Sequence, residues 1–135
     1  TLNGVEPFVR NVKKSRYGMQ MRLEGIFVLD DVLFFRYRLK NNTQIRYDGT
    51  PPRFYIRDKK RAKRTAVQDT EVEPLIVYHI GEPEKAAGQT IIAAFKKFTI
   101  ADSKNFVTEF GEIGGDRELE THINQKKLLL ARALE

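Results

Sequence analysis

The sequence predicts an all-β domain, an antiparallel sandwich or barrel of about seven to nine strands. Three observations carry this. Apolar residues alternate with polar ones in several runs, as on a half-buried strand. Turn-forming clusters such as Asp30-Asp31, Asn41-Asn42-Thr43 and Gly114-Gly115-Asp116 separate those runs at short intervals. No long-period repeat or low-complexity tract interrupts the pattern.

Residues 1–16 read as an irregular entry segment with a basic end at Lys13 and Lys14, and residues 17–135 as the β domain. Met19, Met21, Leu23, Phe27 and Leu29 share one side of the first run, with Gln20, Arg22 and Glu24 opposite, and Gly25 marks a bulge or bend. Asp30-Asp31 turns the chain into Val32 to Leu39, where Leu33, Phe35, Tyr37 and Leu39 face inward and Arg36 and Arg38 outward. The two runs form a hairpin. Ile45 to Tyr47 is a short strand candidate between loop residues. Arg53 to Arg57 follows, with Phe54 and Ile56 inward and Arg53, Tyr55 and Arg57 outward. Thr65 to Tyr78 continues as strand, except that Pro74 cannot donate to a ladder and so sets an edge or a break. Beyond the loop Gly81 to Gly88, strands are expected at Thr90 to Phe98, Asn105 to Ile113 and Glu118 to Ile123. Lys126 to Leu134 suits a helix by composition or a strand as a hairpin return, and we favour the strand.

The chain has 135 residues, enough for one domain with its own core, and neither Cys nor Trp, which rules out disulfides and thiolate metal sites. Its formal charge is +6. Nearly all of it is local. Arg57 to Arg64 holds Arg57, Lys59, Lys60, Arg61, Lys63 and Arg64 against one acid, Asp58, while the remaining residues almost balance. Such a run suits phosphate or a nuclear localisation signal. It equally suits a solvated turn whose charges keep a sheet edge from pairing. A nucleic-acid binder distributes cations along a face that tracks the phosphate backbone, and a single patch does not.

Asp69, Glu71 and Glu73 follow at every second position, so an extended chain places them on one face. Three carboxylates there suit calcium, but no metal-loop motif accompanies them. The simpler reading is a solvent-side row that meets the basic residues across the sheet or across an interface. We therefore assign Arg57, Lys59, Lys60, Arg61, Lys63, Arg64, Asp69, Glu71 and Glu73 as a partner-binding surface. Tyr55, between Arg53 and Arg57, has the chemistry to stack a base, though one ring makes a thin platform. His79 and His122 sit in strand-like context outside any metal or catalytic motif. Gly111 to Gly115 lacks the Lys-Ser/Thr of a phosphate loop. Asn41-Asn42-Thr43 matches a glycosylation acceptor. Catalytic residues, cofactor and metal are all expected to be none, and the protein is read as not an enzyme.

The stretch GMQMRLEGIFVLDDVLFFRYRLKNNTQIRYD, followed by RFYIRDKKRAKRTAVQDTEVEPL, resembles the TraN proteins of conjugative transposons. Gly18-Met19, Gly25-Ile26, Leu33 to Phe35, Asn41 to Thr43, Tyr47-Asp48 and Arg53 to Pro74, including Lys63 to Ala66, carry the resemblance. It spans Tyr17 to Leu134 and weakens after Tyr78. Gly49, Thr50 and Pro51-Pro52 depart from the strand-like run expected there. The resemblance implies a part in mating-pair formation and similarity to TrbG/CagX-type subunits of type IV secretion channels. It further implies an immunoglobulin-like β-sandwich, the C-terminal domain of a longer secreted precursor. That domain would be periplasmic and associated with the outer membrane. The implied partners are other subunits of the transfer apparatus, an outer-membrane lipoprotein or a second copy, with no small-molecule substrate. Contact of the basic patch with DNA or anionic lipid is the rival reading.

Overall fold

A computed structural model describes residues 5–60 and 69–134. The larger of its two sheets has the spatial order β1 (Lys13–Arg16), β2 (Met19–Leu29), β3 (Val32–Asn41), β7 (Gln89–Lys96), β6 (Ile76–Gly81). A short β10 (Arg132–Ala133) lies parallel to β2; the other pairings are antiparallel. The smaller sheet runs β5 (Asp69–Glu71), β4 (Arg53–Asp58), β8 (Lys104–Phe110), β9 (Leu119–Ile123). The sheets stack into a β-sandwich with the core between them.

Turn chemistry sets the first hairpins. Asp30 and Asp31 both have positive φ, 49° and 63°, which matches the two-residue turn whose twist suits antiparallel strands. Tyr17 and Gly18 do the same between β1 and β2 at 55° and 71°. A Cβ on Gly18 would stand 2.3 Å from Thr43 Cγ2, so close approach as well as φ requires glycine there. The irregular entry segment therefore ends at Val12. Lys13–Arg16 is already strand, and Val9 and Val12 are buried ahead of it.

Leu33, Phe35, Tyr37 and Leu39 enter the core as their alternation predicts. Phe35, Phe54, Phe95 and Phe106 meet there as edge-on and stacked rings, with Phe54 and Phe95 centred 4.8 Å apart. Tyr37 and Thr108 share a 2.6 Å hydrogen bond between the sheets, and burial pushes the Tyr37 phenol well up.

Two inward assignments need correction. The pairing of β2 with β3 slips between Leu23 and Gly25, so one extra residue occupies β2. Beyond the bulge the faces exchange. Ile26 joins the core, Leu29 is exposed, and Phe27 packs edge-on against Phe8 on the outer face, ring centres 5.3 Å apart. Arg36 does face outward, but it is not solvated. It is 2% exposed, beneath the segment that carries Phe8 and beside the Phe27 ring, and it pairs with the equally buried Glu24 at 3.3 Å.

Three further segments differ from expectation. Ile45 to Tyr47 forms no strand; Asn41 binds Ile45 O and Thr43 in a turn that shapes this loop instead. Pro74 marks the crossing between sheets, since β5 and β6 on either side of it belong to different ones. Lys126 to Leu134 begins inside the helical turn α1 (Gln125–Leu128), where Asn124 accepts from Lys127 N at 2.9 Å as N-cap, and becomes strand only at β10.

Candidate functional site

The outer face of the smaller sheet gathers the charged residues that the sequence singled out. Antiparallel register places Asp69 beside Arg57 and Glu71 beside Tyr55 on β4. Across β8, Tyr55 neighbours Val107, and Val107 neighbours His122 of β9. Strand alternation then puts Arg53, Tyr55, Arg57, Glu109, Glu120 and His122 on one surface.

Arg57 organises it. Its guanidinium donates to both oxygens of Asp69, at 2.8 and 2.9 Å, and to Glu120 Oε1 at 3.0 Å. This planar two-point contact is the strong form of an ion pair. The bond to Asp69 foremost, aided by the charge of Glu120 against some burial cost, holds Arg57 cationic. Glu120 Oε1 also lies 3.0 Å from His122 Nε2. Arg53 donates to Glu71 at 3.3 Å and lies over the Tyr55 ring at 5.2 Å. Tyr55 is nearly buried beneath it, so its ring offers no open platform for a base. Glu109 is less acidic than an ordinary glutamate, first through burial and then through the charges of Glu118 and Glu120.

The partner-binding set thus divides. Arg57, Asp69 and Glu71 come together, and their charges are largely satisfied within the sheet. Lys59, Lys60 and Glu73 are exposed around it. Arg61, Lys63 and Arg64 lie outside the described residues. His122 joins the charged face through Glu120, on open surface, whereas His79 stands on the far edge of the other sheet. No group of three or more His, Asp or Glu among the described residues is placed to hold a metal. Asn41 of the glycosylation pattern is buried, with its side chain committed to Ile45 O and Glu84.

Sequence reasoning missed one feature. A groove of about 530 Å³ runs between β1 and β9, with Lys13, Lys14 and Arg16 on one wall and Glu118, Glu120 and His122 on the other. Its signal was the basic end of the entry segment, whose opposite wall lies about a hundred residues away in sequence. No helix among the described residues is long and apolar enough to cross a membrane.

The chain belongs to the family described as a domain of unknown function, DUF4138, whose model matches residues 5–133. Neither a curated protein nor a solved structure matches the chain.

Proposed function

We propose that this domain is a structural, non-enzymatic part of a conjugative transfer apparatus of the type IV secretion kind. It acts by being held between neighbouring proteins on the periplasmic side of the outer membrane. The resemblance of Tyr17 to Leu134 to TraN proteins, weaker after Tyr78, supports the apparatus and the compartment. The observation that carries assembly is the outer face of the smaller sheet. There Arg53 and Arg57 are matched by Glu71, Asp69 and Glu120, giving a mosaic of both signs. A mosaic sets the register of a protein partner, whereas phosphate recognition favours a continuous cationic track. Arg57, already held by two carboxylates, has little charge left for a phosphate.

The exposed cations Lys59 and Lys60, with Arg61, Lys63 and Arg64 following in sequence, suit an acidic patch on another subunit or on an outer-membrane lipoprotein. The test is to reverse Lys60, Arg61, Lys63 and Arg64 together to Glu and assay channel assembly and DNA transfer in cells carrying the apparatus. The expected result is loss of both with the domain still folded. Normal assembly and transfer would remove the patch from the mechanism. A titration of the parent chain with duplex and single-stranded DNA at low and moderate salt tests the rival, which requires binding that weakens steeply as salt rises.

A further inference from the structure

Among the described residues the main strand orders of the two sheets end in β1, β5, β6 and β9, and three of these strands are guarded against pairing. β1 reads Lys-Lys-Ser-Arg and is exposed throughout; β5 is three residues long with two acids; β9 carries Glu120 and lines the polar groove. Charge and shortness are the usual protections of an open edge. β6 has neither. It reads Ile-Val-Tyr-His-Ile-Gly, six residues with no Lys, Arg, Asp or Glu, and among the described residues its only ladder neighbour is β7.

Its outward side chains are apolar too. Ile76, Tyr78 and Ile80 are 44%, 53% and 44% exposed and stand beside Ala94, Ile92 and Thr90 of β7, all buried. An uncharged, unpaired edge with an exposed apolar stripe is a template for another strand.

We infer that β6 is the pairing edge of a symmetric dimer, in which two copies align their β6 strands antiparallel about an axis at Tyr78. The stripe Ile-Tyr-Ile reads the same from both ends. In this register Ile76 faces the partner's Ile80, Tyr78 faces the partner's Tyr78, and Val77 faces the partner's His79. Every outward position is apolar on both sides, as an isologous contact requires. Pro74 and Pro83 bracket the strand and, lacking N–H groups, end the ladder. Glu73 and Glu82 thereby stay outside the paired stretch. The palindromic stripe selects a second copy. Pairing would join the two larger sheets into one. This inference does not depend on the transfer reading, and it is tested on the purified chain alone.

The chain has no Cys, so Tyr78→Cys would carry its only thiol. Residues directly opposite in an antiparallel pair have Cβ atoms about 4.5–5.5 Å apart, close to disulfide span. Mild oxidation should give a covalent dimer of Tyr78→Cys. Tyr17→Cys, equally exposed but at the opposite sheet edge, should stay largely monomeric. Sedimentation of the parent chain from low to high micromolar concentration should show reversible dimerisation. Tyr78→Lys or Ile80→Lys should weaken it by roughly tenfold or more, with a thermal midpoint matching the parent's at concentrations where the parent is monomeric, because both side chains are about half exposed. A parent chain monomeric at every concentration would overturn the inference and leave β6 to a strand of another protein. Equal cross-linking of the two Cys variants would overturn it as well.

Discussion

Glu24 holds Arg36 at 3.3 Å through one carboxylate oxygen and Arg38 at 3.1 Å through the other, with Glu24 and Arg36 both almost wholly out of water. A buried ion pair gains little over a well-packed apolar pair, but removing one partner strands the other's charge in low dielectric. Glu24→Gln should therefore destabilise the domain by about 3–5 kcal/mol in urea denaturation. Glu24→Leu combined with Arg36→Met should recover most of that loss. A second prediction concerns Glu109, whose pKa is raised by burial and by Glu118 and Glu120. The folded state favours its protonated form, so stability contributed at low pH is lost as pH climbs from the ordinary glutamate value, about 4.3, through the raised one. Glu109→Gln should raise the thermal midpoint at neutral pH, and the gain should vanish at pH values where the parent's glutamate is protonated.

Loops at one end of the sandwich are held by a single clasp. Arg117 donates to Thr43 Oγ1 at 3.1 Å, Ile45 O at 3.1 Å and Arg46 O at 2.8 Å, grips Glu112, and lies over the Tyr47 ring at 5.3 Å. Burial, and then the charge of Glu112, pushes the Tyr47 phenol up to about 12 against the opposing pull of Arg117. The hydrogen bond from Arg117 holds the Glu112 carboxyl below the usual glutamate range. The stabilisation from this depressed value is full above the unfolded pKa and is lost as pH falls through the folded one. Arg117→Ala should flatten that acid-side loss in a pH series of thermal melts and expose residues 42–50 to limited proteolysis. In β2, a Cβ on Gly25 would come within 2.9 Å of the Phe27 ring and 3.0 Å of the Phe8 ring. Gly25→Ala should cost about 1–3 kcal/mol by overpacking and loosen the segment around Phe8, read as earlier cleavage near the N-terminus.

Across the molecule, each sheet is built from strands remote in sequence. β3 pairs with β7, β4 pairs with β8, and the chain crosses between sheets at Pro74. Loop closure must precede the reward of such contacts, so folding should fall in the roughly millisecond-to-second range typical of sandwiches. Stopped-flow refolding measures it, and a microsecond phase carrying the whole amplitude would contradict it. The charge layout operates at this scale too. The smaller sheet's outer face balances its own ions and, among the described residues, the end strands β1, β5 and β9 are guarded, which leaves β6 as the uncharged end strand. A partner held at the charged outer face of the smaller sheet and a copy held at the β6 edge of the larger one would use different surfaces of the sandwich.

By itself the sequence determined most of the strands, because alternation is local. Leu33, Phe35, Tyr37 and Leu39 face the core since successive side chains leave a strand on opposite sides, and Asp30-Asp31 turns because short polar residues tolerate positive φ. It also brought Arg57, Asp69 and Glu71 into one hypothesis, since both charge rows lie close along the chain. Only the tertiary structure decided which charges are satisfied and which are open. The bulge in β2 reversed the faces of Ile26 and Phe27, the segment around Phe8 buried Arg36, and β9 delivered Glu120 to Arg57 and an acidic wall to Lys13. Burial and pairing depend on residues far away in the chain, and no window of neighbouring residues contains them.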